Sequence, residues 1–425
     1  MAKVSLPYGP GSLSLEIPDE RIAGLLVSRA HEYQPEDTET ALVAKALDNP
    51  IASLPLRELA KGKKKVVIIS SDHTRPVPSH VTMPLLLEEV KKGNAGAEIT
   101  ILVATGYHRP TTESELRQKY GDSIVENERI VIHNAFREED MVNLGTLPSG
   151  GALLLNRLVK DADLLAAEGF IEPHFFAGFS GGRKSVLPGI ASKDTILANH
   201  CAQFIAHEKS RTGILEGNPI HADMVYAARA AGLKFILNVV INAEKKVIKA
   251  FAGDFEKAHE EGCRFVNELA GVKAAPAEIV VTTNGGYPLD QNIYQSVKSM
   301  TAAEATCKEG GVIIVASQCS DGHGGEGFYR TFAQAKEVRE VMDDIIRRGA
   351  SETVPDQWES QILARVLLKH RVIMVTDAPR EMVEDMHMKW APSLAAALEM
   401  AGKMVGDDRA KVTVIPDGVA VIVQQ

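Results

Sequence analysis

The stretch Val66-Val67-Ile68-Ile69-Ser70-Ser71-Asp72-His73-Thr74-Arg75-Pro76 decides how this chain folds. Residues 66–70 form a Val- and Ile-rich run, too short for a helix and suited to a buried strand. It breaks directly into a loop of charged and hydrogen-bonding residues. The same change recurs along the chain. Residues 99–104 run into Gly106-Tyr107-His108-Arg109-Pro110, and residues 164–167 into Glu172-Pro173-His174. Residues 279–283 run into Asn284-Gly285-Gly286-Tyr287-Pro288, and residues 312–316 into Asp321-Gly322-His323-Gly324-Gly325. Each polar cluster follows the carboxyl end of a strand, where open α/β sheets bind ligands. Five such coincidences point to a single crevice.

Working outward, further strands are expected at 130–133, 235–241 and 372–376. Helical patterns fall at 81–92, 113–120, 192–205, 255–269, 292–307, 332–348, 359–368 and 394–405. Thr112 with Glu115 reads as a capping box. Alternating strands and helices predict an α/β fold with mainly parallel, helix-covered sheets. At 425 residues, two domains are the default. The best linker is AGVKAAPAE, residues 270–278, which divides the chain into 1–270 and 278–395. Residues 3–17 and 411–423 read as antiparallel hairpins, the latter turning at Asp417-Gly418. They are expected to pair with each other, so that 402–425 returns to the first domain.

A net charge of -9 argues against nucleic acid as the main partner. No apolar run approaches the ~20 residues that span a bilayer, and the N-terminus lacks the pattern of a signal peptide. Cys201, Cys263, Cys307 and Cys319 are scattered without a CxxC pair, which suits a reducing cytoplasm and disfavours structural zinc. A cytoplasmic protein with a small-molecule substrate is the expectation.

The richest segment is EPHFFAGFSGGRKSVLPGIASKDTILANH, residues 172–200. The Gly181-Gly182 turn lets a backbone approach a phosphate. Lys184 beside Arg183 is a candidate for a lowered pKa and for covalent attachment to a carbonyl-like or thioacyl group. His200, on the following helix, is a candidate metal ligand. His108 and His174 suit a pair of acid/base groups on opposite faces of a substrate. Arg75 suits a bidentate hold on a carboxylate or phosphate. Tyr294 and Lys298 share a helix face beside Gln295 and suit a carboxylate site. Each has a bland counterpart: loop-stabilising or core histidines, a capping Asp72, a surface ion pair for Arg75, a solvated face for Lys298, and packing for Trp358.

Together these residues resemble the nickel-dependent lactate racemase family over nearly the whole chain. The resemblance rests on Ser71 through Pro78, Gly106-Tyr107-His108-Arg109-Pro110, His174 through Gly189 and Asn199-His200. It rests also on Asn284 through Pro288 and on Tyr294-Gln295-Ser296-Val297-Lys298. It implies a nickel-bound pyridinium-3-thioamide-5-thiocarboxylic acid mononucleotide, a pincer cofactor carried by Lys184 through its thioamide. His200 would supply the protein's nickel ligand, and His108 and His174 would be the acid/base residues. Asp72, His73, Thr74 and Arg75 would contact the cofactor; Tyr294, Gln295 and Lys298, with Arg75, would hold the substrate. The resemblance also implies a site in the cleft between the two domains, and maturation proteins would act as transient partners. Lactate would be interconverted between its L and D forms by proton-coupled hydride transfer through pyruvate. The nearest rivals are a relative acting on another 2-hydroxy acid such as malate, a pyridoxal-phosphate racemase using Lys184, and a nucleotide- or nickel-binding carrier.

Overall fold

The computed structural model describes residues 1–424 and contains two six-stranded sheets. The first runs Val247–Gly253, Leu233–Ile241, Leu164–Phe170, Lys65–Ser71, Glu98–Ala104, Arg129–Ile132 across its width. All neighbours are parallel except the edge strand Val247–Gly253, which pairs antiparallel. The second runs Lys389–Ala391, Arg371–Val375, Cys307–Ala316, Ala277–Thr283, Val412–Ile415, Ile22–Leu25, and every pair is parallel. Central strands such as Leu164–Phe170 are buried at every position, as a sheet covered on both faces requires. The expected strands are therefore present, six of them longer than expected and two, Arg129–Ile132 and Arg371–Val375, of the expected length but shifted by one residue.

The ends of the chain differ from expectation. Ala2–Tyr8 and Gly11–Ile17 do form an antiparallel hairpin. However, Leu6, Leu15 and Ile17 pack with Ile279, Val281, Ile314 and Val412 of the second sheet. The C-terminal segment is not a hairpin. Val412–Ile415 enters the second sheet beside Ala277–Thr283, while Ile422–Gln424 pairs in parallel with Gly271–Lys273 inside the expected linker. The physical reason lies in burial. Val412–Ile415 is covered at all four positions, so it needs sheet on both sides, which a two-stranded ribbon cannot supply. The 2–17 hairpin does not pair with the C-terminal segment, but the next strand, Ile22–Leu25, pairs in parallel with Val412–Ile415, so residues 2–25 lie with the second sheet, while Ile422 packs against Ile171, Val240 and Phe251 of the first domain.

Three expected helices also change. Residues 192–205 split into Lys193–Asn199 and Ala202–Ala206, with His200 closing the first. There Asn199 turns its amide to the Ile220 carbonyl and Asp223. Residues 332–348 split into Glu326–Ala333 and Val338–Arg347. Ile293–Glu304 stops short of Cys307, which begins a strand. The Thr112–Glu115 capping box is formed, with Thr112 N donating to Glu115 Oε2 at 2.8 Å and Glu115 N to Thr112 Oγ1 at 3.4 Å.

Candidate active site

The loop after Lys65–Ser71 is built around Asp72. This carboxylate is 1% exposed and accepts from Thr74 N at 3.1 Å and Thr74 Oγ1 at 2.7 Å. Its second oxygen lies 2.7 Å from His108 Nδ1, on the loop after the neighbouring strand. Burial alone would push the Asp72 carboxyl up. The His108 and Thr74 hydrogen bonds and the Arg75 charge outweigh it and hold the group below the usual carboxylate range. An anionic Asp72 fixes the proton of neutral His108 on Nδ1 and leaves Nε2 with the lone pair. His108 is exposed and so reachable by a ligand. Gly106 makes this loop possible. It sits at φ +52°, donates to the Gly189 carbonyl at 2.9 Å, and so ties the His108 loop to the Lys184 segment.

His73, expected at a cofactor, is engaged at one ring nitrogen. Its Nδ1 is 3.0 Å from Thr111 Oγ1 and its ring faces Glu115 of the capping box. It braces the His108 loop from behind. His323 is likewise occupied, accepting from Gly325 N at 3.0 Å and stacking on Tyr329.

His174 sits on a two-residue ribbon, Pro173–His174 against Gly178–Phe179. Its Nδ1 accepts from Ala177 N at 3.3 Å, and its Nε2 lies 3.4 Å from Lys184 Nζ. Phe175 and Phe176 pack against its ring, at 5.1 and 4.5 Å between centroids. Enclosure by protein, followed by the charges of Lys184, Lys298, Arg75 and Arg183, pushes its pKa well below the ordinary histidine value. The Lys184 ammonium is held far below its normal range by the same enclosure and by Arg183 and Arg75. Both side chains are half-buried, with solvent contact at the mouth of the cleft and protein on the remaining sides. Glu172 opens onto the same space, and its carboxyl is raised by enclosure despite Arg75 and Lys298 nearby.

His200 is 5% exposed, sandwiched between Phe176 and Trp358 with ring centroids 5.3 and 5.0 Å away. Its Nδ1 donates to the Ile196 carbonyl at 3.0 Å, which leaves the lone pair on Nε2. Burial brings its pKa down to about 3, with Lys184 adding to the effect, so the ring is neutral at working pH. Among the described residues no group of three or more His, Cys, Asp or Glu side chains could hold a metal. A metal at His200 would need most of its ligands from elsewhere.

The opposite wall comes from the second sheet. Asn292 caps Ile293–Glu304 by accepting from Gln295 N at 2.9 Å. Lys298 Nζ donates to Gln295 Oε1 at 2.6 Å and stands 6.0 Å from the Phe175 ring centroid, across the cleft. Tyr294 donates to Asp356 at 2.9 Å, and burial raises its hydroxyl well above the usual range. Trp358 does pack, but against His200. The residue sequence reasoning missed is Glu359. Burial lifts its carboxyl to about 8 despite Lys298, and its Oε1 has no hydrogen-bond partner. The available signal was the run Gln357-Trp358-Glu359-Ser360-Gln361, polar residues at a helix start whose Gln357, Glu359, Ser360 and Gln361 are all buried.

The structure thus gathers Asp72, Thr74, Arg75, His108, His174, Lys184, His200, Gln295 and Lys298 around one cleft, with His73 held beside the His108 loop through Thr111. Fold and site define a two-sheet α/β enzyme with a cation-rich cleft that holds His108, His174 and His200.

Residues 8–213 match the lactate racemase N-terminal domain, and residues 272–423 match the lactate racemase C-terminal domain. The lactate racemase of Thermoanaerobacterium thermosaccharolyticum is 59% identical over the full length of both chains. That of Lactiplantibacillus plantarum is 55% identical, again over the whole of both. The solved lactate racemase apoprotein from T. thermosaccharolyticum superposes with a TM-score of 0.97 at 58% identity, covering all of both chains. A Thermotoga maritima protein at 20% identity shares the fold, with a TM-score of 0.63 over 92% of this chain and all of that one. The chain belongs to the lactate racemase family, and is an isomerase of that family.

Proposed function

We propose that this chain interconverts L- and D-lactate, with His108 and His174 as its two acid/base residues. The observation that carries this reading is the pair of differently backed histidines in one cationic cleft. His108 is oriented by Asp72, and His174 is enclosed beside Lys184.

The site suits the nickel pincer nucleotide. Lys184 presents an amine held away from its protonated form, as covalent attachment requires. His200 presents a neutral nitrogen with its other nitrogen tied to a carbonyl, as a single metal ligand should. When bound, the group supplies a hydride acceptor and donor. That suits carbon-2 of lactate, where a carbanion beside a carboxylate is poorly stabilised.

The chain's own residues handle charge and protons. Arg75 and Lys298 hold the substrate carboxylate, with Gln295 orienting Lys298. One histidine takes the hydroxyl proton from the enantiomer that presents its hydroxyl to it. Planar pyruvate results. The other histidine, protonated on entering the cycle, gives that proton to the carbonyl oxygen after pyruvate has turned its opposite face, and proton exchange with solvent resets the pair. Reversal exchanges the roles, so each direction uses both rings. The arriving carboxylate offsets the cations that depress His174, which raises its basicity when it is needed. Phe175, Phe176 and Trp358 exclude water from the reacting face.

The test is isotopic. L-lactate deuterated at carbon-2, converted in ordinary water, should give D-lactate that keeps its deuterium. Washout of deuterium to solvent would point instead to proton abstraction at carbon and reject the hydride reading.

A further inference from the structure

The Gly181-Gly182-Arg183 turn contains a buried cation that the acid/base chemistry does not use. Arg183 is 1% exposed, and among the described residues no carboxylate forms an ion pair with it. Its guanidinium is satisfied by neutral partners. Nη2 donates to the Ala177 carbonyl at 2.7 Å. Nη1 donates to the Phe179 carbonyl at 2.8 Å and the Gly181 carbonyl at 3.2 Å. Nε donates to His221 Nδ1 at 3.0 Å, and His259 Nε2 lies 3.1 Å from Nη1.

Burying a guanidinium without a counter-charge is costly, and an apolar residue would fill the space more cheaply. The turn around it is equally constrained. A side chain at Gly181 would meet Asn238 Oδ1 and the Phe170 carbonyl, each 2.7 Å from the added carbon, and one at Gly182 would meet the His259 ring at 2.6 Å. Gly182 N donates to Asn238 Oδ1 at 2.7 Å, pinning the turn to the first sheet. The next residue is Lys184.

We propose that Arg183 is the positioning residue for Lys184. It folds the Ala177–Gly181 carbonyls around a rigid fork and fixes where the lysine amine meets an electrophile in the cleft. The proposal rests on the reading of Lys184 as the attachment point. Arg183 also acts through charge, as a like charge beside Lys184 favours the neutral amine. His221 and His259 suit this role because burial and Arg183 keep both unprotonated, His221 at about 3 and His259 well below its usual value. Neutral imidazoles surround Arg183 without neutralising it.

The experiment uses the full chain without cofactor and needs no racemase assay. The protein is acetylated with the N-hydroxysuccinimide ester of acetate from pH 6 to pH 10. Labelling of Lys184 is read by peptide mass against the exposed Lys61, Lys257 and Lys403. The wild type should label Lys184 at neutral pH with a shallow pH dependence. Arg183→Met should lower labelling at pH 7 by about tenfold or more and restore a steep rise with pH, since one pKa unit is tenfold in neutral amine. Arg183→Lys keeps charge but not the fork, so it should retain the shallow profile at a lower rate. A merely structural role would slow labelling equally at every pH. If Arg183→Met does not fold, His221→Ala, which removes one acceptor, should still slow Lys184 labelling. Lys184 labelled at the wild-type rate and with the wild-type profile in all folded variants would overturn the proposal. Failure of the racemase reading would leave these results unchanged.

Discussion

Replacing Asp72 with asparagine keeps the shape of the loop and removes the charge that orients His108. The carboxylate accepts three hydrogen bonds, of which the one to His108 is 2.7 Å and charge-assisted when the ring is protonated. Hydrogen bonds to charged groups contribute about 1.5–3 kcal/mol. At about 1.4 kcal/mol per tenfold, kcat should fall by roughly 10- to 150-fold. KM should move less than about threefold, because Asp72 faces His108 and not the substrate. The two directions must fall equally in kcat/KM, as the equilibrium constant is one, so the informative split is kcat against KM. A second readout is stability of the cofactor-free protein. The native Asp72 carboxyl lies below its unfolded value, so its contribution is present above the unfolded pKa and is lost as pH falls through the native one. Wild type should therefore melt higher than Asp72→Asn at pH 7, and the gap should close in acid. Unchanged kcat, or a large rise in KM alone, would refute the reasoning that Asp72 acts through His108.

Removing the Lys298 charge with Lys298→Met should raise KM for lactate by about 10- to 100-fold with a smaller change in kcat, measured by initial rates from either enantiomer. His200→Ala should abolish bound nickel by metal analysis while the nucleotide adduct at Lys184 stays visible by intact mass. Glu359 is raised to about 8, so folding is penalised as pH rises from its unfolded value through the native one. Glu359→Gln should therefore raise the melting temperature at pH 9 and change it little at pH 4. His133, whose pKa burial lowers to about 4, is a neutral ring that donates through Nε2 to the Ala191 carbonyl at 2.9 Å and accepts at Nδ1 from the Asn156 amide. Its stabilising contribution is complete above pH 6.5 and is lost toward pH 4, about 2 kcal/mol by pH 5. His133→Gln should flatten the acid limb of stability measured by denaturant titration.

Much of this was legible because parallel strands buried on both faces are written as short Val- and Ile-rich runs. Lys65–Ser71 and Ala277–Thr283 are of that kind, and polar loops after them carry Asp72 and Asn284. The same rule, applied to Val412–Ile415, would have placed it in a sheet; the Asp417-Gly418 pair read as a hairpin turn and hid it. Pro219–Ala231 is hard to read although Asn218 caps it and Gly232 ends it in the left-handed region, because alanines supply many of its apolar positions and give weak periodicity. In the site, histidines and lysines in glycine-rich loops stood out. Glu359 did not, because a carboxylate on a helix looks solvated until tertiary packing buries it. His73 stands out for its loop, but the partners of its Nδ1, Thr111 and Glu115, lie far along the chain and are not legible from it.

The most direct test of the central claim is a chiral assay. Protein co-produced with the cofactor-maturation enzymes in the presence of nickel is given pure L-lactate, and the D-enantiomer is followed to equilibrium. The account predicts approach to an equal mixture, abolished by Lys184→Ala or by His200→Ala. Protein shown by intact mass to carry the adduct, yet forming no D-lactate, would contradict it.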